Sequence, residues 1–344
     1  MSLQLNGTDG VTFNDGSEQW AAASPIGPKN LIINGDMRIS QRGTSFTSNL
    51  ENTYTLDRWR IHDRLCTSRS VTQESFSIGS ISTFGKEISN YLRATFSNDS
   101  GATPPYIMHL IEDVRSVAGE TVTISFWAKA DSAQNITLNY SQQFGSGGSS
   151  EVTAIIDTFT LTTSWAKYTT TVTIPSMSGK TVGTSSYLRI DWRMPANTAI
   201  TYDMTLVQLE VGDTATPFEV MPYDMQLQRC KRYYETTFSY GTAIGTATAA
   251  GAVFTHGNNI SPTGSYISTN SHHYSVEKRA TPTLTTWDEA GNQGVCGRVQ
   301  LGLSTSQNEN IYIALSTPKG FFGWSTSGAS RTGVIFHFTA EAEL

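Results

Sequence analysis

The sequence predicts an all-β protein: a jelly-roll β-sandwich, then a short linker helix, then a smaller C-terminal β-domain. Three observations carry this. The composition is 38% hydrophobic and only 15% charged, with 14 Tyr, 15 Phe and 7 Trp, a mix that favours strands joined by polar turns. Period-two alternation recurs, as in TVTISFWAKA at 121–130 and SSYLRIDWRM at 185–194, which is the pattern of antiparallel sheets with one buried side. Glycine- and serine-rich turns, GSGGSS at 145–150 and PSMSGK at 175–180, punctuate the runs as in a sandwich or jelly roll.

Taken in order, residues 1–24 read as a hairpin-like arm. Leu3, Leu5, Val11 and Phe13 are spaced for strands, and Asp9-Gly10 and Asp15-Gly16 supply turns. The arm is too small to bury a core and is expected to attach the chain to a partner or join protomers. Residues 25–222 hold the sandwich. On 121–130, Val122, Ile124, Phe126 and Ala128 share the core face, whereas Thr121, Thr123, Ser125, Trp127 and Lys129 face away. Leu188, Ile190 and Trp192 share one side of the later strand. Residues 223–238 read as the linker helix, with Tyr223, Leu227, Cys230 and Tyr234 on one face. Pro222 fits the entry, Asp224 the N-cap, and Arg229 and Arg232 a solvated side. Residues 239–344 alternate again and form the distal β-domain.

Chemistry is bounded by what the chain lacks. A net charge of −6 argues against a broad grip on nucleic acid. No apolar run is long enough to span a bilayer, and the N-terminus has no secretory pattern, so the expectation is synthesis in the cytoplasm without membrane insertion. Cys66, Cys230 and Cys296 are far apart, as expected of free thiols. GxSxG, HExxH and P-loop motifs are absent, so an enzyme is not expected. Glu112 with Asp113, Asp191, Asp203 and Glu210 are the carboxylates available for glycosidase chemistry, but no spacing brings a pair to one sugar bond. His272-His273 reads as a strand end or loop.

Aromatic side chains are the better lead. Sugars stack their C–H faces on Trp and Tyr and pair their hydroxyls with amides and charged groups. The candidate ligand contacts are Trp127, Trp165 and Trp192 in the sandwich, and Tyr140 with Gln142 before the glycine turn. Trp324, in the aromatic block GFFGWSTSGASRTGVIFHF, completes the set. For the three sandwich tryptophans a core role is the alternative; for the C-terminal block the alternatives are a receptor-contact tip or a trimer core.

Several stretches, taken together, resemble a phage tail-fibre or virion-appendage family: NLIINGDMRISQRGTSF (30–46), YTLDRWRI (54–61) and LVQLEVGDTATPFEVMPYDMQLQRCKRYYE (206–235). GVTFNDGSEQWAAA (10–23) is similar to the F-x-D-G-T-x-Q pieces of phage fibres. The strands at 121–130, 162–175 and 188–210 resemble the jelly roll of family 4/9-type carbohydrate-binding modules. The resemblance implies a structural virion protein, assembled in a bacterial cytoplasm as a homotrimer, held to other virion proteins by its arm and touching host-surface glycan. It also implies a structural calcium, with Asn34, Asp36 and Asp203 at loosely corresponding places. A glycan depolymerase with an appended module, and a decoration protein without a receptor role, are the alternatives.

Overall fold

The computed structural model describes residues 28–47, 50–63, 66, 68–79, 81–97, 104–256, 266–300, 303–326 and 333–344, together with 11–12 and 18–19. The rest of the expected arm lies outside the described residues. Its strands β1 (Val11–Thr12) and β2 (Glu18–Gln19) pair antiparallel.

The protein is all-β, with a jelly-roll sandwich of two six-stranded sheets. Sheet I runs β11 (Val152–Leu161), β10 (Gln134–Gln143), β13 (Tyr187–Arg193), β8 (Tyr106–Ile111), β5 (Trp59–His62), β4 (Thr53–Tyr54). Sheet II runs β12 (Ala166–Thr173), β9 (Thr121–Ala130), β14 (Ile200–Val211), β7 (Asn90–Phe96), β6 (Arg69–Ser75), β3 (Ser45–Phe46). The chain crosses repeatedly between the sheets, with only β4–β5, β6–β7 and β10–β11 as consecutive pairs within one sheet, and each sheet buries one side of its pleat against the other. Ile124, Phe126, Leu138, Ile190, Trp192 and Tyr202 meet in that core.

The stretches that carried the phage resemblance form a clasp at one end of the sandwich. β14 bulges between Thr205 and Gln208, with Leu206 at φ 51°. The Val207 carbonyl turned out by the bulge accepts from Asn30 Nδ2 at 3.1 Å, while Asn30 Oδ1 takes Ile32 N–H at 3.0 Å and Leu209 N–H at 3.1 Å. Glu219 accepts from the N–H of Asn30 at 2.9 Å, and Gln208 Oε1 from the N–H of Glu219 at 2.7 Å. A β-carbon on Gly35 would stand 2.1 Å from the Val207 carbonyl oxygen. Gly35→Ala therefore forces two backbones apart, and a loss of about 1–3 kcal/mol is expected by urea denaturation.

Helix α2 (Tyr223–Lys231) joins the sandwich to the rest of the chain. Pro222 holds the N-cap position and Asp224 lies in the first turn, correcting the expected cap. Of the expected face, Cys230 and Tyr234 are buried and Leu227 packs on Cys230, whereas Tyr223 is 44% exposed. Gln226 joins the buried face because it donates to Asp36, a polar partner on the sandwich that apolar spacing does not show. Cys230 and Tyr233 pack on Ile33 and Ile39, and Arg232 pairs with Glu112 at 3.1 Å. All three cysteines are buried, and none is in a disulfide.

The third sheet has eight strands. The main path is β15 (Tyr234–Thr236), β22 (Gly333–Glu341), β19 (Val295–Gln300), β20 (Leu303–Thr317), β21 (Gly320–Thr326), β17 (Tyr266–His273). β16 (Val253–His256) and β18 (Thr283–Trp287) also pair with β22. Phe321, Phe336 and Phe338 from the aromatic block form its core. Where the chain leaves β22 it returns to the sandwich: Glu343 pairs with Arg58 and Arg42.

Buried histidines tie this fold to pH. Burial, and then the Arg58 charge, hold His109 well below its ordinary value of 6.5; burial also lowers His272 and His337. Below about pH 6.5 the unfolded chain therefore binds more protons than the folded one, and stability falls as pH falls. Burial raises Asp57 and contributes with the opposite sign. The test is the slope of melting temperature between about pH 5 and pH 7: His109→Gln is expected to show a shallower acid loss than the wild type.

Candidate functional site

The outer face of sheet I carries a polar and aromatic surface that strand alternation explains. On β10, Ile136, Leu138, Tyr140 and Gln142 point inward, so Asn139, Ser141 and Gln143 point out. Register then sets the neighbours. Ser141 stands opposite Arg189, Asn139 opposite Asp191, and Thr137 opposite Arg193 on β13. Across β13, Arg193 faces Tyr106 and Asp191 faces Met108 on β8; Tyr106 in turn faces His62 on β5.

The centre of this face is a fixed charge cluster. Asp191 accepts from Arg189 Nε at 2.9 Å and Arg193 Nε at 2.6 Å. Both guanidinium carbons lie over the Tyr106 ring, at 5.8 and 5.2 Å from its centroid. His62 stacks on the same ring at 4.5 Å with planes 23° apart. Partial burial raises the Tyr106 phenol above its ordinary 10, so it stays protonated and able to donate at neutral pH. Ser141 donates to Glu151 at 3.1 Å, and Gln143 donates to Ser141 at 2.9 Å. Asn139 Oδ1 is buried and has no hydrogen-bond partner. An unpaired buried carbonyl oxygen costs free energy until a donor reaches it. Each arginine spends its Nε on Asp191, so the surface brings together further guanidinium N–H donors, an orphan acceptor and the Tyr106 phenol.

The predicted ligand residues fare differently. Trp192 is corrected: it lies wholly in the core, its ring 5.6 Å from Trp59 and 5.8 Å from Phe126. Tyr140 and Gln142 are corrected as well. Both face inward, and Gln142 donates to the Pro175 carbonyl at 2.9 Å; their neighbours Asn139, Ser141 and Gln143 are the outward ones. Trp127 and Trp165 are on the outer side of sheet II, as the alternation of 121–130 requires for Trp127. The connection carrying α1 (Ile81–Phe84) packs on them: Phe84 touches Trp127 at 4.9 Å and Trp165 at 5.5 Å, and Phe76 touches Trp165 at 5.5 Å. Both are half-buried members of an aromatic cluster. Beside this cluster a cavity of about 530 Å³ is lined by Phe76, Lys86, Asn90, Leu206 and Phe218. Trp324, on the third sheet, stacks on Tyr312 at 4.3 Å.

Tyr106, Arg189 and Arg193 escaped sequence reasoning, although YLRIDWRM already put Arg189, Asp191 and Arg193 on one side. What the sequence lacked was Tyr106, which only strand pairing brings beside them.

Asn34, Asp36 and Asp203 do not fit a calcium site. Asn34 is saturated by backbone: its Nδ2 donates to the carbonyls of Ile39 and Asp57, and its Oδ1 accepts from Ile39 N–H. Asp36 pairs with Arg38 and accepts from Gln226. Asp203 is held bidentately by Arg93 at 2.8 and 2.9 Å, with Lys129 Nζ at 3.4 Å. Cations of the protein already neutralise both carboxylates, and no cluster of three or more His, Cys, Asp or Glu able to hold a metal occurs among the described residues. The other carboxylates are also engaged: Glu112 by Arg232 and Tyr233, Asp113 by Arg115, Glu210 by Thr216 and Gln208. His272 and His273 end β17, with the His272 ring 4.8 Å from Phe338. No helix among the described residues is long and apolar enough to cross a membrane.

Residues 108–185 match the carbohydrate binding domain family CBM_4_9. The matched span contains β9, β10, β11 and β12 and the part of β8 from Met108 onward, so it supplies strands to both sheets of the jelly roll. No curated protein matches the chain. Among solved structures, a CBM4 module is similar at 19% identity and TM-score 0.34, covering 53% of this chain and 99% of that one. The N-terminal cellulose-binding domain of Cellulomonas fimi β-1,4-glucanase C is similar at 11% identity and TM-score 0.31, covering 52% and 99%. The enzymatically active domain of bacteriophage CBA120 tailspike protein 4 is similar at 15% identity and TM-score 0.33, covering 54% of this chain and 22% of that one.

Proposed function

We propose that this chain is a structural appendage protein of a phage particle that binds host-surface glycan through the outer face of sheet I. The supporting observation is the cluster of Tyr106, Arg189, Arg193, Asp191 and Asn139; Asn139 falls within the carbohydrate-binding family match, and the other four lie just outside its two ends. Tyr106 supplies its hydroxyl and ring edge, since His62 and the two arginines cover the ring. The arginines donate to hydroxyls, and Asn139 Oδ1 accepts from one. Binding is non-covalent and no residue is assigned a catalytic role. The appended tail-fibre resemblance supports the virion setting, with a homotrimer presenting the face in several copies for avidity.

Two measurements test this. Isothermal titration against cello-, xylo- and β-1,4-galacto-oligosaccharides and purified bacterial surface polysaccharide is expected to find at least one binder. Tyr106→Ala is then expected to lose roughly tenfold in affinity, about 1.4 kcal/mol, with an unchanged melting temperature. Equal binding by the variant moves the site off this face. Light scattering is expected to give a trimer mass for the full chain, and a smaller species when residues 1–23 are removed.

A further inference from the structure

A second cavity, of about 290 Å³, lies where the clasp, the end of β8 and the last turn of α2 meet. We propose that it binds the carboxylate of a small organic acid, held by Arg229. Leu31, Ile33 and Ile111 give the cavity apolar walls, and Glu112, Arg229 and Arg232 supply its charges. His109 also lines it. Tyr106 does not, since it faces the other side of β8 from Ile111, so this is not the outer surface of sheet I.

Charge is out of balance in this cavity. Glu112 is already engaged: Arg232 donates to it at 3.1 and 3.2 Å, and the Tyr233 hydroxyl at 2.9 Å. Arg229 enters no ion pair among the described residues, and its hydrogen bond is to the Asn30 carbonyl at 3.3 Å. Its side chain is nonetheless half-buried, and burial pulls its pKa below the ordinary value. A cation drawn out of water without a counterion costs free energy. The end of α2 offsets part of this charge, being equivalent to about half a negative unit; the remainder is unmet. His109, kept neutral by burial, has no hydrogen-bond partner for its Nδ1. Polar capacity is therefore left over on two of the lining residues. Two arginines against one carboxylate leave the lining one positive charge in excess. A monocarboxylate matches that excess, and its two oxygens fit the guanidinium fork. A phosphate monoester, at roughly −1.5 to −2, overshoots it beside Glu112. The volume is roughly ten times the ~30 Å³ share of one water in the liquid, room for an acid of about six carbons. A uronic acid and a short aliphatic acid share that chemistry.

The test titrates the full chain, by calorimetry and by thermal unfolding at matched ionic strength, with D-glucuronate, hexanoate, neutral D-glucose and inorganic phosphate. At least one of the two acids is expected to bind with Kd of about 1 mM or tighter. At about ten times Kd it should raise the melting temperature by roughly 2–4 °C, while glucose and phosphate leave it unmoved. A response to glucuronate alone identifies an acidic sugar as the ligand, and a response to hexanoate alone an aliphatic acid; either supports the site. Arg229→Gln should weaken the acid at least tenfold, and Arg229→Lys, which keeps the charge without the fork, should fall between. Failure of both acids to bind overturns the proposal. So does glucose or phosphate binding as well as the acids, or Arg229→Gln binding like the wild type. Should Arg229→Gln not fold, unchanged affinity in Arg229→Lys overturns it instead. None of these outcomes bears on the glycan reading of sheet I.

Discussion

Trp192→Ala is expected to destabilise the sandwich by about 3–5 kcal/mol, the largest single-residue loss among the aromatic candidates. The indole is fully buried between the sheets and packs on Trp59 from sheet I and Phe126 from sheet II. Truncation removes its transfer free energy and leaves a cavity that two rigid sheets cannot close. Trp192→Phe separates packing from polarity. The indole Nε1 is buried without a hydrogen-bond partner, so phenylalanine deletes an unsatisfied donor along with some volume. A loss below about 1.5 kcal/mol is expected for that change. Urea denaturation of both variants checks the pair. Loss of glycan binding by a fully folded Trp192→Phe would place the indole in a binding role and contradict its burial.

Glu343→Ala is expected to cost about 3–5 kcal/mol at the junction of the sandwich and the third sheet. Arg58 and Glu343 are both buried, and Arg58 lies over the Tyr233 ring at 3.5 Å while donating to the Leu110 carbonyl. Without the carboxylate, a buried guanidinium keeps only a ring and a carbonyl as partners, which do not neutralise it. Arg42, stacked on Tyr234 at 3.6 Å, loses one of its two acids as well. The double change Arg58→Met with Glu343→Leu removes both charges and is expected to recover most of the loss. Two-step denaturation of Glu343→Ala, with the third-sheet tryptophans Trp287 and Trp324 reporting separately from the core, would locate the effect. A single unshifted transition would deny the pair its role.

Much of the fold was legible because strand patterning is local. The inward and outward sides of 121–130 follow from alternation alone, and so do the buried Leu188, Ile190 and Trp192. On α2 the spacing gave Leu227 and Cys230, but not Gln226, which is chosen by Asp36, a residue 190 positions away. The candidate site shows the same division. Arg189, Asp191 and Arg193 share a side of one strand by period two. Tyr106 is brought to them only because β8 pairs with β13. Tyr140 and Gln142 were named by residue type alone, and strand pairing then put both on the inward side while their neighbours face out.

The sequence by itself determined that this is a polar, strand-rich chain with two kinds of face on each strand, because composition and period two are properties of neighbours along the chain. Only the tertiary structure decided which side chains share the outer face of sheet I, which aromatics are spent on the core, and which carboxylates are already paired. Those outcomes depend on strand order and on contacts between residues tens to hundreds of positions apart, and neither leaves a periodic trace in the sequence.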